Sequence, residues 1–297
     1  MLSRLWSKRS VTRRVLRRTT SSNPYIPDYF CQQPHELARI ARARTQSAYM
    51  GDHTMICRVL GKYIMWLDSQ DVGIVPHLCL DGFWEPSVTV AVARILKPGW
   101  LCVDVGANHG YYTLVLADAV GPHGRVTSAE PNPRLCELLT RTVSSNGFGQ
   151  VVTILDRALA DSDDQATTLV VPADYHMNAS LYRSALPGDH AFGVRTVTLD
   201  RLTGGWPRVD FVKIDAEGAE EAIWRGAQHT LESNPDIFIL MEINCGRYRD
   251  PSAFLREIEG MRFPLRYVEY DGSIQPITPT RILSERIHED WMLLLHR

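Results

Sequence analysis

The stretch LCVDVGANHGYYTLVLADAV, residues 101–120, decides the fold class of this 297-residue chain. Its apolar start indicates a strand, GANHG a turn and YYTLVLADAV a helix. The alternation recurs in residues 125–155, with strands RVTSAE and VVTIL, and in residues 209–243, with strands VDFVKID and DIFILMEI. Parallel strands are joined through crossover helices, so the pattern predicts an α/β fold with a doubly wound, mostly parallel sheet.

Two segments depart from this alternation. At about residues 161–198 the strand-like runs TTLVV and GVRTVTL replace a helix and predict a β insertion. The last run, WMLLLHR at residues 291–297, follows PLRYVEY without an obvious long helix. We therefore expect the final strand to be antiparallel and to lie at a sheet edge, within one domain at residues 100–297.

Residues 25–99 are expected to form an α+β cap attached to the sheet domain. A helical period begins at Pro34, and a second helix is predicted from Val88 until Lys97-Pro98-Gly99 ends it. Between them, MICRVL, YIMWLD and IVPHLCL predict three short strands.

Residues 1–24 carry seven Lys or Arg and no acid, whereas the remainder carries 25 basic and 34 acidic residues. The segment predicts a disordered basic leader, with peripheral membrane contact or organellar targeting as alternatives. The acidic body argues against nucleic-acid binding. The six cysteines are scattered, so we expect no disulfides. Because the sequence has no long apolar run, we expect no membrane-spanning helix and a cytoplasmic protein.

The turn after the first sheet strand predicts a cofactor site, because glycines let a ligand approach the backbone closely. Dinucleotides and S-adenosylmethionine both bind at such turns. Asn108 stands where the dinucleotide fingerprint has its second glycine, and Asp104 suits the cationic amino group of S-adenosylmethionine better than a pyrophosphate. Glu130, at the end of the next strand, fits the ribose of either cofactor. S-adenosylmethionine is favoured, and an NAD(P)-dependent oxidoreductase is the alternative.

Four segments together resemble the FkbM-type methyltransferases: DVGANHGYYT from Asp104, EPNP from Glu130, TLDRL from Thr198 and VKIDAEGAE from Val212. The similarity covers roughly residues 80–245. It implies a Rossmann-like class I S-adenosylmethionine-dependent methyltransferase with a seven-stranded sheet, which methylates a hydroxyl of a glycan or secondary metabolite. His109 stands where the family often has an apolar residue.

The resemblance also implies a cofactor site. Its residues are Asp104, Gly106, Ala107, Asn108 and Gly110 at the methionine end, Glu130 at the ribose, Asn132 near the sugar or adenine, and Asp156 and Ala158 near the adenine. Phe148 is expected to be a core aromatic rather than a stacking partner. We expect Gly106→Val to block binding in a folded protein, and Glu130→Ala to weaken binding with little effect on stability.

An alcohol acceptor needs a base to take its proton. Asp215 ends the fourth strand and is expected to face the crevice outside the strand ends, and His109 and Glu217 are the other candidates. A metal-assisted route through Asp215, Glu217 and Glu242 is conceivable, but no spacing demands it, so no metal is predicted.

The acceptor pocket is expected to lie between the cap and the loops after the fourth and fifth strands. Its candidate residues are Trp84, Glu85, Glu242 and Arg247, because aromatic and charged groups together suit a polar ring. A non-catalytic binding protein with the same fold is a further alternative, although Asp104 and Glu130 argue against it. The oligomeric state is left open.

Overall fold

The structure is a computed structural model that describes residues 33–173, 176–285 and 288–297. The basic leader expected at residues 1–24 lies outside these ranges. None of the helices within them is long and apolar enough to cross a bilayer.

The N-terminal part combines helices with a small antiparallel sheet. Its elements are α1 (Pro34–Arg44), β1 (Ser47–Gly51), β2 (Thr54–Val59), β3 (Tyr63–Asp68), α2 (Ile74–Leu80) and α3 (Pro86–Ile95), and the strand order is β1-β2-β3. Both predicted helices and the strands of MICRVL and YIMWLD are confirmed.

The prediction of a strand for IVPHLCL is wrong, because these residues form α2. The Asp71 carboxylate accepts hydrogen bonds from the amides of Gly73 (2.9 Å) and Ile74 (3.4 Å), which stabilises the start of the helix. Ile74, Val75 and Leu78 are buried, and a short apolar run of this kind suits a buried helix as well as a strand.

The rest of the described chain is built around a mixed sheet. Its strands are β4 (Leu101–Val105), β5 (Arg125–Ala129), β6 (Val152–Leu155), β10 (Phe211–Ile214), β11 (Phe238–Ile243), β12 (Arg266–Val268), β13 (Ile274–Pro276) and β14 (Trp291–Leu295). They lie in the order β13-β12-β14-β11-β10-β4-β5-β6, and the five strands from β11 to β6 are parallel. The predicted α/β fold with a mostly parallel sheet is confirmed.

Two details of the sheet differ from the expectation. It has eight strands in the described residues instead of seven, because β13 pairs with β12 as a hairpin. The final strand β14 is antiparallel as predicted, but it lies between β11 and β12 rather than at an edge. Its five residues are all buried, which fits a strand covered on both faces and flanked on both sides.

Helices and a smaller sheet connect these strands. The helices are α4 (Tyr111–Val120), α5 (Pro133–Ser145), α6 (Leu199–Thr203), α7 (Glu220–Arg225), α8 (Gln228–Ser233), α9 (Pro251–Gly260) and α10 (Pro279–Ser284). The predicted β insertion is present as β8 (Ala166–Val171) and β9 (His190–Val197), and β9 also pairs with β7 (Ala158–Leu159).

Gly106 marks the closest approach between two strand ends. Its φ is +71°, and a Cβ at this position would collide with the backbone carbonyl oxygen of Asp215, just after β10. A branched side chain would therefore push β4 and β10 apart. The expectation that Gly106→Val leaves a folded protein is wrong for this reason.

The N-terminal elements α1 to α3, called the cap below, pack on the rest of the described chain through the free side of β3, which lies along α5. The Asn146 side chain accepts the amide hydrogen of Ile64 (3.0 Å) and donates to its carbonyl (2.7 Å), and the Thr142 hydroxyl accepts the amide hydrogen of Trp66 (3.0 Å). One hydrophobic cluster contains Met65 of the cap together with Leu116 of α4. The cap and the rest of the described chain therefore share one hydrophobic core, and side chains of α5 hydrogen-bond the backbone of β3.

We expect Asn146→Ala to lower the free energy of unfolding by about 2 kcal/mol, because two backbone groups of Ile64 lose their partner. Ser145→Ala is the matched control. Its exposed hydroxyl accepts the indole N–H of the partly buried Trp66 (2.9 Å), and we expect a loss below about 0.5 kcal/mol. Urea unfolding followed by tryptophan fluorescence measures both. A separate early transition for the cap would contradict the shared core.

Candidate active site

One pocket opens at the carboxyl ends of the parallel strands, where the glycine turn, the cap and the β insertion meet. Of the residues expected to form the site, Trp84, Asp104, Gly106, Ala107, Asn108, His109, Glu130, Ala158, Asp215 and Glu217 line this pocket. The structure thus places cofactor and catalytic candidates from three strands in one cavity, as the strand-end rule predicts.

Asp104 is the most deeply buried carboxylate of the pocket. It is fully buried, and its Oδ2 accepts a hydrogen bond from the Thr113 hydroxyl (2.7 Å). Its Oδ1 has no hydrogen-bond partner among the described residues. Burial raises the pKa of Asp104, and the nearby Lys213 opposes that rise. A buried carboxylate oxygen without a partner fits a cationic ligand group such as the ammonium of S-adenosylmethionine.

Glu130 is held in one orientation by the backbone. Its Oε2 accepts the amide hydrogen of Asn108 and its Oε1 that of Asn132, each at 2.8 Å. Burial raises the pKa of Glu130 to about 7, and the two amides work against that rise. Each oxygen keeps a lone pair, so the carboxylate can accept hydrogen bonds from both hydroxyls of a ribose.

His109 connects the cofactor turn to the cap. Its Nε2 accepts the amide hydrogen of Asp68 (3.1 Å), so its proton lies on Nδ1, 3.9 Å from the Asp71 carboxylate. Its own amide donates to the Asn108 side chain (2.7 Å). Burial lowers the pKa of His109 to about 3. The ring is neutral, and its acceptor nitrogen is occupied by the backbone.

Lys213 is a buried cation that the sequence interpretation missed. It lies on β10 with 3% exposure, donates to Oδ2 of Asp215 (2.9 Å) and sits 5.1 Å from the centre of the Tyr112 ring. A lysine between Val212 and Ile214 in a central strand was the available signal, because lysine is almost never fully buried without a partner. Tyr112 belonged to the apolar pattern of its helix, which gave no such signal.

Glu85 reaches the site from the cap through a strained backbone. Its φ and ψ are 39° and 67°, a left-handed conformation that is unfavourable for glutamate and more so before Pro86. Its Oε2 accepts the Tyr112 hydroxyl hydrogen (2.7 Å). Burial and the charge of Asp215 raise the pKa of Glu85 to about 7. Strain of this kind concentrates at functional sites.

A cluster of carboxylates surrounds Arg247 beside the pocket. Oxygens of Asp215, Glu217 and Glu242 lie within 4.8 Å of one another, a spacing that a divalent cation can bridge. The Arg247 guanidinium already forms ion pairs with Glu217 (2.8 Å) and Glu242 (2.5 Å). Burial and Asp215 raise the pKa of Glu217 to about 8. Among the described residues, Arg247 balances the charge of Glu217 and Glu242, and Lys213 pairs with Asp215.

Other candidates lie beside the pocket or away from it. The Asn132 side chain caps α5 by accepting the amide hydrogen of Arg134 (3.0 Å), and the Asp156 side chain is 76% exposed. Gly110 precedes α4 and packs against Leu139. Phe148 packs near Tyr63 at 6.2 Å, so its interpretation as a core aromatic is confirmed. The lining also includes Ile74 and His176, which no sequence motif marked.

Residues 104–266, more than half of the chain, match the family model described as the methyltransferase FkbM domain. The chain belongs to this family. The matched range contains Asp104, Glu130, Lys213 and Asp215. The cofactor of the family is S-adenosylmethionine. The unbonded oxygen of Asp104 and the oriented carboxylate of Glu130 fit this cofactor. The class I methyltransferase fold expected from the motifs is confirmed.

Curated relatives share only a segment with this FkbM chain. A protein-L-isoaspartate O-methyltransferase of Methanopyrus kandleri is 34% identical over 72 residues, which cover 24% of this chain and 32% of that protein. One of Archaeoglobus fulgidus is 37% identical over 60 residues, covering 20% and 28%. The chain thus spans less than two thirds of these relatives.

Solved structures resemble the fold at low sequence identity. A methyltransferase FkbM from Methylobacillus flagellatus has a TM-score of 0.41 and 15% identity, covering 71% of this chain and 54% of that one. A SAM-dependent O-methyltransferase from Thermotoga maritima has a TM-score of 0.40 and 16% identity, covering 81% and 76%.

We expect Glu130→Ala to weaken S-adenosylhomocysteine binding about 10- to 100-fold, because the ribose loses a charged acceptor. The variant also leaves the amides of Asn108 and Asn132 without their acceptor, so we expect about 1–3 kcal/mol lower stability, in place of the small effect expected from the sequence. Calorimetry and thermal unfolding measure the two effects. Glu232→Ala, an exposed position on α8, is the control. An unchanged dissociation constant for Glu130→Ala would contradict the ribose assignment.

The pKa of Glu85 predicts a pH-dependent stability without cofactor. Its folded-state pKa of about 7 lies above the ordinary 4.5, so the stability from its protonated form is lost as pH rises through about 7. Glu85→Gln keeps an acceptor for Tyr112 but cannot ionise. We expect this variant to gain about 2 kcal/mol, or roughly 4–8 °C, relative to wild type as pH rises from about 5 to 8.

Thermal unfolding by circular dichroism across this pH range measures the Glu85 effect, with Glu259→Gln on the exposed face of α9 as control. The control should follow the wild-type curve. A constant difference between Glu85→Gln and wild type at all pH values would show that Glu85 ionises normally.

Proposed function

We propose that this chain is an S-adenosylmethionine-dependent O-methyltransferase that methylates a hydroxyl of a glycan or secondary metabolite. The observation that carries the proposal is the position of Asp215. Its carboxylate lines the same pocket as Asp104 and Glu130, and its side chain is 26% exposed. A proton acceptor is thereby placed beside the groups that suit the cofactor.

Asp215 is the best of the three candidate bases. His109 uses its acceptor nitrogen for the amide of Asp68, and its low pKa of about 3 makes it a poor proton acceptor. Glu217 is ion-paired with Arg247 (2.8 Å), so one of its carboxylate oxygens is already engaged by a guanidinium. Asp215 has one oxygen fixed by Lys213, which sets the orientation of the carboxylate towards an acceptor.

In this proposal Asp104 binds the ammonium group of the cofactor and Glu130 binds its ribose hydroxyls. S-adenosylmethionine supplies the methyl group as an electrophile. Asp215 would accept the hydroxyl proton as the acceptor oxygen gains the methyl group, and the leaving sulfide would keep the electron pair of the broken sulfur–methyl bond. Ala107, Asn108 and Ala158 also line the pocket, and Ala158 would contact the adenine.

The acceptor is expected between the cap and the loops after β10 and β11. Trp84 lines the pocket and offers an aromatic face, and the carboxylate of the adjacent Glu85 accepts a hydrogen bond from the pocket residue Tyr112. Arg247 and Glu242 form an ion pair beside the pocket, next to the pocket residue Glu217, and would contact the acceptor from there. One apolar face with several charged groups suits a hydroxylated ring, because the ring packs while its hydroxyls hydrogen-bond. The proposed organisation is a cap at residues 25–99 and a methyltransferase domain at residues 100–297.

A second candidate is methylation of a carboxylate. The curated relatives that match a segment of the chain are named protein-L-isoaspartate O-methyltransferases. A carboxylate acceptor is already ionised and needs no base, so Asp215 would then be dispensable for proton transfer. The products also differ, because a methyl ester is cleaved by mild alkali and a methyl ether is not.

The function is tested with S-adenosylmethionine that carries a labelled methyl group. Sugar nucleotides, polyhydroxylated macrolides and isoaspartyl peptides are the acceptor probes, and each product is treated with mild alkali. Alkali-stable label on a hydroxylated probe supports the proposal, and label released from a peptide supports carboxyl methylation. Stabilisation by NAD(P) but not by S-adenosylhomocysteine would favour the oxidoreductase alternative.

We expect Asp215→Asn to lower kcat about 100-fold or more with the hydroxylated acceptor that the panel identifies, because the amide keeps the shape of the carboxylate but cannot take a proton. Asp236→Asn is the matched control, since Asp236 is exposed and lies at the amino-terminal end of β11, opposite the strand ends that form the pocket. Full activity of Asp215→Asn would exclude it as the base. Activity restored only by an added divalent metal would favour the metal-assisted route.

A further inference from the structure

A row of polar side chains crosses the centre of the main sheet. Asp104 on β4 is the register partner of Lys213 on β10 and of Ser128 on β5. Register partners in neighbouring strands point to the same face, with backbones about 4.8 Å apart. The Thr113 hydroxyl joins Oδ2 of Asp104 (2.7 Å) to the Ser128 hydroxyl (2.9 Å). The sheet therefore sets an anion and a cation side by side in its core.

Lys213 stays charged in this position. Burial alone would lower the pKa of Lys213, but Asp215 and Asp104 outweigh it and raise the pKa above its usual value. A permanently protonated lysine has no lone pair and cannot take a proton from an acceptor. Its role must come from its charge and its hydrogen bonds.

The hydrogen bond of Lys213 goes to Asp215 and not to Asp104. The ammonium lies 2.9 Å from Oδ2 of Asp215, while Oδ1 of Asp104 has no hydrogen-bond partner among the described residues. Asp104 receives the electrostatic support of a neighbouring cation but keeps an oxygen for a ligand. If Lys213 bonded Oδ1 directly, that oxygen would be taken.

We propose that Lys213 is the built-in counter-ion of Asp104 and acts through Asp104 to position the ammonium group of the cofactor. The inference rests on the proposed placement of the methionine end at Asp104 and is independent of the acceptor. Asp215 holds Lys213 away from the free oxygen of Asp104. One buried lysine thus connects the carboxylate proposed to bind the cofactor with the carboxylate proposed to act as base.

The inference has a pH dependence that a packing role lacks. Without Lys213, burial raises the pKa of Asp104 further, and a protonated Asp104 cannot pair with an ammonium. Cofactor binding would then recover as pH rises and the carboxyl group ionises. The titratable or charged groups around Asp104 and Lys213 are Asp215, Glu85, Glu130, Cys102 and Tyr112.

The experiment measures S-adenosylhomocysteine affinity by calorimetry from about pH 6 to about pH 9. We expect Lys213→Met to bind roughly tenfold or more weakly than wild type at neutral pH, with a deficit that shrinks towards alkaline pH. Lys213→Arg, which keeps the charge, should retain most of the affinity. Lys97→Met removes an exposed lysine after α3 and should match wild type at every pH.

Two further variants separate the possible failures. In a protein that already carries Asp104→Asn, Lys213→Met should weaken S-adenosylhomocysteine binding little further, because the effect of Lys213 on binding depends on Asp104. Normal binding by Asp104→Asn would show that the placement of the cofactor is wrong. Weak binding by Asp104→Asn together with normal binding by Lys213→Met would overturn the role of Lys213 alone.

The proposed role of Lys213 would also be overturned if the loss of affinity in Lys213→Met did not change with pH. The same holds if the double variant lost as much binding free energy as the two single variants together. Thermal unfolding is measured first for each variant. If Lys213→Met does not fold, Lys213→Gln replaces it, because its amide still has a donor for Asp215. Unfolding of both would make Lys213 a structural residue and contradict the proposal.

Discussion

The site depends on how closely the ends of β4 and β10 approach each other at Gly106. The carbonyl of Asp215 lies where a side chain at this position would begin, so glycine is the residue that allows the contact. The same contact places Asp104, at the end of β4, next to the segment that carries Lys213 and Asp215. If the strand ends were further apart, the cofactor turn and the proposed base would line different cavities.

This close packing concentrates negative charge. Burial is the main cause that raises the pKa of four carboxyl groups, those of Asp104, Glu85, Glu130 and Glu217. Among the described residues, Lys213 and Arg247 supply positive charge through their ion pairs with Asp215 and Glu217. A protein keeps such carboxylates in its interior at a cost to stability, which is typical of functional sites. A cofactor with a sulfonium and an ammonium group, bound as proposed, would offset part of that cost and would link cofactor binding to folding.

The sequence could predict those features that local pattern determines. The glycine turn, Asp104 and Glu130 are fixed by their order along one strand–helix–strand unit, β4–α4–β5. The position of β14 depends on pairing between distant segments, and the helix at Ile74 depends on the Asp71 carboxylate that starts it. The sequence shows Lys213 only as part of a motif, because the residues around it do not reveal that Asp104 is its neighbour on the adjacent strand. The features that the sequence could not predict depend on which distant strands pair and in which register.

The cap is connected to the cofactor turn by a continuous chain of hydrogen bonds. Glu130 accepts from the amide of Asn108, the Asn108 side chain accepts from the amide of His109, and the His109 ring accepts from Asp68 of the cap. Glu130 and the cap are therefore connected through one network of hydrogen bonds. The family match begins at residue 104 and so excludes the cap, including Trp84 and Glu85. Membership in the FkbM family accordingly constrains the cofactor chemistry more strongly than the acceptor, because part of the proposed acceptor surface comes from residues outside the matched domain.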